Sequence, residues 1–599
     1  MSGGFGGAIS GASGAADTYK EPMSRRIQRR SIPDSGINLP EQLHPVLRRI
    51  YAARGVQDGT ELEYGAQGLL PASPLMSMDV AVELLDKAIE EAWRIVIVGD
   101  FDADGATSTA VAVKGLTALG AHSVEYVVPN RFAYGYGLSP EIVAVAAESN
   151  PDLIITVDNG IASHDGVEAA RARGIRVLVT DHHLPGERLP AADAIVNPNQ
   201  PGDPFPSKHL AGVGVMFYVL LALRARRREK GQGNGPNLAE LLDLVALGTV
   251  ADVVKLDRNN RILVEQGLRR IRAGHCRPGI AALIQVSGRN REALAASDLG
   301  FAIGPRLNAA GRLEDMGVGI ECLLTGNPDT ALMLAGQLDE LNRDRRAIEQ
   351  RMQDEANRAM DALRLFDGKS LPWGLVLHDP AWHQGVVGIL ASRLKDRFHR
   401  PVIALAPADQ GDPKGEWKGS ARAIPGLHVR DVLEAVDTRY PGLMTRYGGH
   451  AMAAGMSMPV ASLDVFTRAF DEEVRRVVEP SALEGVIVSD GELERQHIGV
   501  ELAEAIRAGG PWGQGFPEPV FDGVFRLRSR RVVGERHLKL EIILGDGPAA
   551  IDGIAFNYPV DDGIPPENAR VQLAYRLDVN EFRGVRNAQM VIEELTVVG

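Results

Sequence analysis

The chain has 599 residues with an ordinary balance of 45% hydrophobic and 24% charged side chains, enough for about four domains with real cores. Two cysteines, Cys276 and Cys322, exclude a disulfide scaffold and fit a reducing, cytoplasmic compartment; no apolar run approaches the roughly 18 residues of a membrane span. A net charge of −13 argues against a protein that coats duplex DNA, yet leaves room for a nuclease whose carboxylates are neutralised by cations.

Residues 1–44 are rich in small residues and then basic (Arg25, Arg26, Arg29, Arg30). They read as a disordered, solvated tail with no apolar segment of a secretory signal. From about 80 to 200, strand-length apolar runs alternate with helical patterns. RIVIVG (94–99), DLIITVD (152–158), IRVLVTD (175–181) and DAIVNP (193–198) read as strands. Segments 106–120 and 163–173 read as helices. Short, doubly apolar strands alternating with helices predict a parallel α/β sheet. A helical region follows, including 238–254. Asn327 and Pro328 then open the longest helical pattern, 328–366, about 55 Å at 1.5 Å per residue, long enough to join two domains. A second α/β unit follows, with strands near 374–378 and 402–406 and helices near 386–397 and 462–477. After about 485, five alternating runs predict a small all-β barrel or sandwich.

The sharpest signal is GDFDADG (99–105). Asp100, Asp102 and Asp104 crowd the turn after a buried strand, where parallel sheets bind ligands. A helix cap would use one of the three; a divalent cation accounts for all of them. Asp158 ends the second strand, and Asp181, His182 and His183 end the third. Asp252 would close the site from a helix terminus. Carboxylates with imidazole suit Mn²⁺, and carboxylates with water suit Mg²⁺. So many ligands exceed the needs of one ion. Two ions about 3.5–4 Å apart, bridged by a carboxylate such as Asp158, would use them, in the geometry for in-line attack on a phosphodiester.

Elsewhere, GPRLNAAGRL (304–313) offers Arg306, Asn308 and Arg312 in what reads as a glycine-punctuated loop suited to phosphate. Ser420 and Arg422, two apart on a strand, face one side and could hold a terminal phosphate. Gly448 and Gly449, beside His450, would let backbone amides approach a phosphate, or mark only a strand-to-helix turn. Segment 525–539 carries six basic residues and one acid, either a solvated edge strand or a DNA-guiding strip. Tyr134, Tyr136, Trp382 and Trp417 could stack on bases, although core packing is the more ordinary use of each.

Taken in order, GDFDADG, VDNG, TDHH (Asp181-His182-His183) and Asp252 resemble the DHH phosphoesterase superfamily. NRFAYGYGL (130–138), GPRLNAAGRL, WHQGVVGILASRLK (382–395), GSARAIPGLH (419–428) and YGGHAMAAG (447–455) are similar to the RecJ family of bacterial exonucleases within it. That resemblance, over about residues 45–599, implies a DHH catalytic domain (45–327), a connecting helix (328–366), a DHH-associated domain (367–480) and an oligonucleotide-binding (OB-fold) barrel (481–599). It implies a 5′-to-3′ exonuclease that releases mononucleotides from single-stranded DNA, in recombination, mismatch repair and fork rescue. Two Mn²⁺ or Mg²⁺ ions would sit on Asp102, Asp104, Asp158, His182 and Asp252, with Asp100 beside them, while His183 contacts the scissile phosphate. Arg306, Asn308, Arg312, His383, Ser420, Arg422, Gly449 and His450 are the implied DNA contacts. Expected partners are single-stranded-DNA-binding protein and a RecQ-type helicase, with the chain itself monomeric and not bound to a membrane. Phosphodiesterases of short oligoribonucleotides or cyclic dinucleotides, and inorganic pyrophosphatases, share the two α/β units but have no need of the barrel. A haloacid-dehalogenase-type phosphatase would have no use for Asp181-His182-His183, and a catalytically dead fork scaffold would have lost ligands.

Overall fold

In the computed structural model of the chain, residues 25–33, 37–129, 137–367, 371–408, 415–534, 536–545, 547–558, 560, 563–582 and 584–598 are described. Most of the motif NRFAYGYGL, with Tyr134 and Tyr136, lies outside them, as do residues 1–24.

The first sheet has five parallel strands in the order Ser123–Val127, Arg94–Val98, Leu153–Val157, Arg176–Thr180, Ala194–Val196. In the strand Arg94–Val98, period-two alternation sends Ile95 and Ile97 into one core, with Ala106 and Ala110 of the helix Ala103–Ala118. Val96 and Val98 go into another, with Val143 and Ile154. Both faces are therefore covered, which is why the strand is apolar throughout. The strand Ser123–Val127 has no counterpart among the sequence expectations. It is a half-exposed edge carrying Glu125, so its pattern is not an apolar run. Because Arg94–Val98 connects to one side of the sheet and Leu153–Val157 lies on the other, the chain reverses between them. The crevice at such a switch point, beyond the strands' carboxyl ends, is where ligands bind in open parallel sheets.

The long helix runs Pro328–Asp367, capped as expected by Asn327, whose side chain accepts from the amides of Asp329 and Thr330. It leads to a mixed sheet ordered Arg446–Gly449, Ala453–Pro459, Glu416–Arg422, Val402–Pro407, Leu375–His378. Only the last pair is parallel; the other strands are antiparallel. The barrel is closed in the order Phe521–Val533, His537–Ile543, Ala550–Ala555, Val585–Val598, Arg570–Phe582. Its core is continuous with that of the parallel-sheet unit. The helix Pro45–Ala53 joins them: Tyr51 donates to Gly509 O, and its ring stacks with Trp512 and Phe516.

The expected disordered tail over 1–44 is corrected in its described part. Arg26–Arg29 is a strand paired in parallel with Val486–Ser489. Arg25 bonds Glu594, Arg29 bonds Asp522 and Glu492, and Arg30 lies 3.5 Å from Asp490. These partners are more than 450 residues away in sequence, so a local reading sees only a charge run. The barrel-side unit therefore recruits chain from before residue 45. Among the described residues no helix is long and apolar enough to cross a membrane.

Candidate active site

Three strand ends and one helix end meet at the switch-point crevice. Their donor atoms form three overlapping groups, each within 4.8 Å: Asp100, Asp102 and Asp158; Asp158, His182 and His183; Asp104, His182 and Asp252. Asp158 and His182 each belong to two of them, and of the two only Asp158 is a carboxylate with two oxygens to share. His182 Nε2 lies 3.1 Å from Asp158, 3.5 Å from Asp252 and 4.0 Å from Asp104. Asp252 is the C-cap of the helix Leu242–Ala251, as expected from sequence.

The backbone around these ligands is built for close approach. Asp102 caps the helix Ala103–Ala118, accepting from the amide of Gly105 at 3.0 Å. Asp104 accepts from the amides of Gly212 and Val213, at 2.6 and 3.0 Å, at the start of the helix Gly212–Glu229. That helix terminus favours an anion through its exposed amides and dipole. A Cβ on Gly212 would lie 2.6 Å from Asp158 Cβ, so only glycine admits the strand end there. Asp158 itself sits at φ +62°, a left-handed conformation that Asp tolerates better than most residues.

Electrostatics make the cluster a cation site. Burial, then repulsion from Asp102, pushes the Asp104 carboxyl up to about 7. Asp158 and Asp252 are held well above the carboxylate range by burial and by their acidic neighbours. Burial and the neighbouring His183 lower His182 to about 4, leaving a neutral imidazole with a lone pair to donate. Hard carboxylates with one neutral imidazole form a donor set that fits Mn²⁺ or Mg²⁺. A divalent charge would relieve the repulsion that otherwise holds these groups protonated.

Asp181 does a different job from its neighbours. Its oxygens accept from the amides of Ile161, His182 and His183 and bond the His183 ring at 2.8 Å. Burial would lower His183, but the bond and charge of Asp181 outweigh it and raise the ring to about 8. Asn197 and Asn199, which the sequence reading missed, donate to the carbonyls of His183 and His182 at 2.9 and 2.6 Å. The signal was present in NPN (197–199), where Asx side chains commonly bond local backbone.

Across the crevice, His450 stacks on His183 with ring centroids 6.3 Å apart. Gly448 and Gly449, read as a phosphate approach or alternatively as a strand-to-helix turn, end the strand Arg446–Gly449 and pair with Gly455 and Ala454 of the antiparallel strand that follows, with Gly449 at φ +146°. Ser420 and Arg422 do share a side: Arg422 Nη1 donates to Ser420 Oγ at 2.7 Å, and Nε to Ser392 Oγ at 3.1 Å. Burial lowers the guanidinium's pKa, and among the described residues no carboxylate pairs with it. Gly388, in the first turn of the helix Val387–Phe398, is close enough that a Cβ would lie 2.9 Å from Arg422 Nη2 and 3.1 Å from Ser420 Oγ. A hydroxyl, a guanidinium and a helix N-terminus thus converge on one point, a combination suited to phosphate.

Segment 304–313 is corrected from loop to helix, Gly304–Leu313, with Pro305 in its first turn. Arg306, expected as a DNA contact, is buried in it and bonded to Asp339 at 2.7 and 2.9 Å and to Ala302 O, the geometry of a structural ion pair. Asn308, expected as a DNA contact, turns its side-chain oxygen to the amide of Ala103 at 2.8 Å. Arg312 reaches Gly385 O at 3.3 Å, and His383 Nδ1 accepts from Gly385 N, so both sit where the two units meet. Trp382 and Trp417 are buried in the second unit's cores, the ordinary use. In the basic strip, Arg528 pairs with Glu541 and Lys539 with Asp552.

Fold and site together define a phosphoesterase of the DHH class. Family models agree: DHH family, N-terminal domain, matches residues 94–249; the DHHA1 domain matches 373–476; and the RecJ OB domain matches 489–594. The chain is 56% identical to the single-stranded-DNA-specific exonuclease RecJ of Escherichia coli, over 96% of this chain and all of that one. It is 34% identical to RecJ of Thermus thermophilus, over 90% and 75% of the two chains. The crystal structure of the Thermus thermophilus RecJ in complex with Mn²⁺ superposes with a TM-score of 0.76 at 30% identity, covering 94% of this chain and 79% of that one. The chain belongs to the RecJ family of single-stranded-DNA-specific exonucleases.

Proposed function

We propose that the chain is a 5′-to-3′ exonuclease that hydrolyses single-stranded DNA to mononucleotides in recombination and repair. The observation that carries this reading is the pairing of an acid-rich centre, Asp100 to Asp252, with an anion-seeking pocket, Ser420 and Arg422, on the unit facing it. Two divalent cations would bind on Asp100, Asp102, Asp104, Asp158, His182 and Asp252 and would supply an activated water and charge neutralisation at the phosphodiester. Asp158 would be shared between the two halves of the ligand set. His183, held by Asp181, whose bond and charge favour the protonated ring, would donate to a non-bridging oxygen of the scissile phosphate. Gly449 and His450 close the other side of the crevice. Ser420 and Arg422 receive the 5′-terminal phosphate, whose nearly two negative charges exceed those of an internal diester. Arg312 and His383, where the units meet, guide the strand between them.

In domain terms, the catalytic unit spans 45–327, the connecting helix 328–366, the DHH-associated unit 367–480 and the barrel unit 481–599, with the strand Arg26–Arg29 added to the last. The barrel supplies the extra length of binding surface that a polymeric substrate uses and a short one does not. A helicase of RecQ type and single-stranded-DNA-binding protein are proposed partners, since the substrate strand must be unwound and is coated once exposed. The two unpaired cysteines are consistent with a cytoplasmic setting.

The test is digestion of oligonucleotides labelled at the 5′ or the 3′ end, with the same sequence as blunt duplex, in Mn²⁺, Mg²⁺ or chelator. The 5′ label leaves first, as a mononucleotide, only from single strands and only with a cation. Earlier release of the 3′ label would reverse the assigned polarity, and equal rates on blunt duplex would remove the single-strand requirement.

A further inference from the structure

The helix Gly304–Leu313 touches more of the catalytic centre than a peripheral helix needs to. Asn308 Oδ1 accepts from the amide of Ala103, the residue between Asp102 and Asp104. One turn on, Gly311 is pressed against the backbone between Asp100 and Asp102: a Cβ there would lie 1.8 Å from Phe101 O. At the other end, a Cβ on Gly304 would lie 3.0 Å from Ala251 Cβ, and one on Gly300 3.2 Å from Val250. Those are the residues leading into Asp252. One short segment therefore abuts two of the three stretches of chain that carry acidic ligands, those of Asp100 to Asp104 and of Asp252. It begins with a π-helical turn, Leu299–Ile303, a feature frequent at functional sites.

The segment is also anchored from behind. Arg306 ties it to Asp339 on the long connecting helix, with both side chains buried, and Arg312 ties its end to Gly385 of the second unit. We propose that Asn308 is a positioning residue: it fixes the backbone of the 99–105 loop so that Asp102 and Asp104 keep the separation that two cations require.

Repulsion is what makes such a residue necessary. Three carboxylates within five residues push the loop apart, and a loop free to relax would scatter its donor atoms. A neutral amide oxygen holds the Ala103 N–H without adding a charge to the cluster. Outer partners that orient metal ligands typically change metal affinity by about 10- to 100-fold. For one neutral bond to backbone, we expect the lower end.

The inference rests on the two-cation reading, and the experiment separates the two. Mn²⁺ is titrated calorimetrically into the metal-stripped full chain, for wild type, Asn308→Ala and Asn308→Asp. Wild type should bind Mn²⁺; if it does not, the two-cation reading fails and the positioning role with it. Asn308→Ala should bind about 10-fold more weakly, while Asn308→Asp, which keeps the acceptor and adds a negative charge beside the cations, should bind no more weakly than wild type. Turnover by Asn308→Ala should recover at saturating Mn²⁺, raising the Mn²⁺ requirement and sparing kcat. If Asn308→Ala does not fold, Asn308→Leu keeps the volume, loses the acceptor and serves in its place. Wild-type affinity in the variant lacking the acceptor, or equal weakening in that variant and Asn308→Asp, would overturn the positioning role while leaving the cation site intact.

Discussion

The catalytic crevice and the Ser420–Arg422 pocket are both out of charge balance, in opposite senses. In the crevice, five carboxylates face the neutral imidazole of His182, while the raised imidazole of His183 is already paired with Asp181. In the pocket, a half-buried guanidinium has hydroxyl and carbonyl partners and, among the described residues, no carboxylate. Uncompensated buried charge is costly, so each arrangement is explained by a ligand of opposite sign. A DNA end supplies both needs at once: its terminal phosphate satisfies the guanidinium, and its scissile phosphate meets carboxylates already neutralised by cations. The spacing between an anion site and a cation site is then what turns a phosphodiesterase into an enzyme that works from an end.

The contrast between crevice and pocket is most exposed at Asp158. It joins two of the three donor groups, so Asp158→Ala should cost several kcal/mol of transition-state stabilisation, about 100-fold or more in rate. The circular dichroism spectrum should be unchanged, and strand binding by the second unit should persist. Single-turnover digestion in Mn²⁺ measures the loss, and a variant within a few-fold of wild type would remove the bridging role.

A smaller effect belongs to the pocket. Hydrogen bonds to charged groups are worth about 1.5–3 kcal/mol each, so Arg422→Ala should lower kcat/KM on 5′-phosphorylated single strands by about 10- to 150-fold. The loss on 5′-hydroxyl strands should be far smaller. Arg422 also holds Ser420 and Ser392 in place, so the four-rate comparison of two enzymes on two substrates is what isolates end recognition. Equal losses on both strands would assign Arg422 to the fold or the internal backbone.

The acidic centre was legible in sequence because two local rules coincide. Apolar runs such as RIVIV mark buried parallel strands, and parallel strands place whatever follows them at one edge. The same logic fails where partners are distant. Arg26–Arg29 looks like a solvated charge run until Asp522 and Glu492 come beside it. Segment 304–313 looks like a loop because its glycines suggest turns, whereas Gly304 and Gly311 are small to admit Ala251 and the Phe101 carbonyl. Arg306 was read as a phosphate contact from its residue type and from the family resemblance, and neither shows Asp339, 33 residues away on another helix, to which it is bonded. The amides of Gly212 and Val213 on Asp104 were missed because backbone donors carry no residue-type signature. In the pocket, the two-residue strand period was enough to pair Ser420 with Arg422, but not to bring Gly388 against them.

Everything proposed for the crevice depends on its holding two cations, which displace protons that the carboxylates retain without them. A raised carboxyl pKa, about 7 at Asp104 and higher than usual at Asp158 and Asp252, means that the metal-free fold keeps protons near neutrality which a cation must displace. The direct measurement is calorimetric titration of Mn²⁺ into metal-stripped wild-type protein at pH about 6.5, in two buffers of different ionisation enthalpy, which yields both ion count and protons released. Two Mn²⁺ per chain with net proton release is the expected result. A single ion, or binding with no proton release, would contradict it.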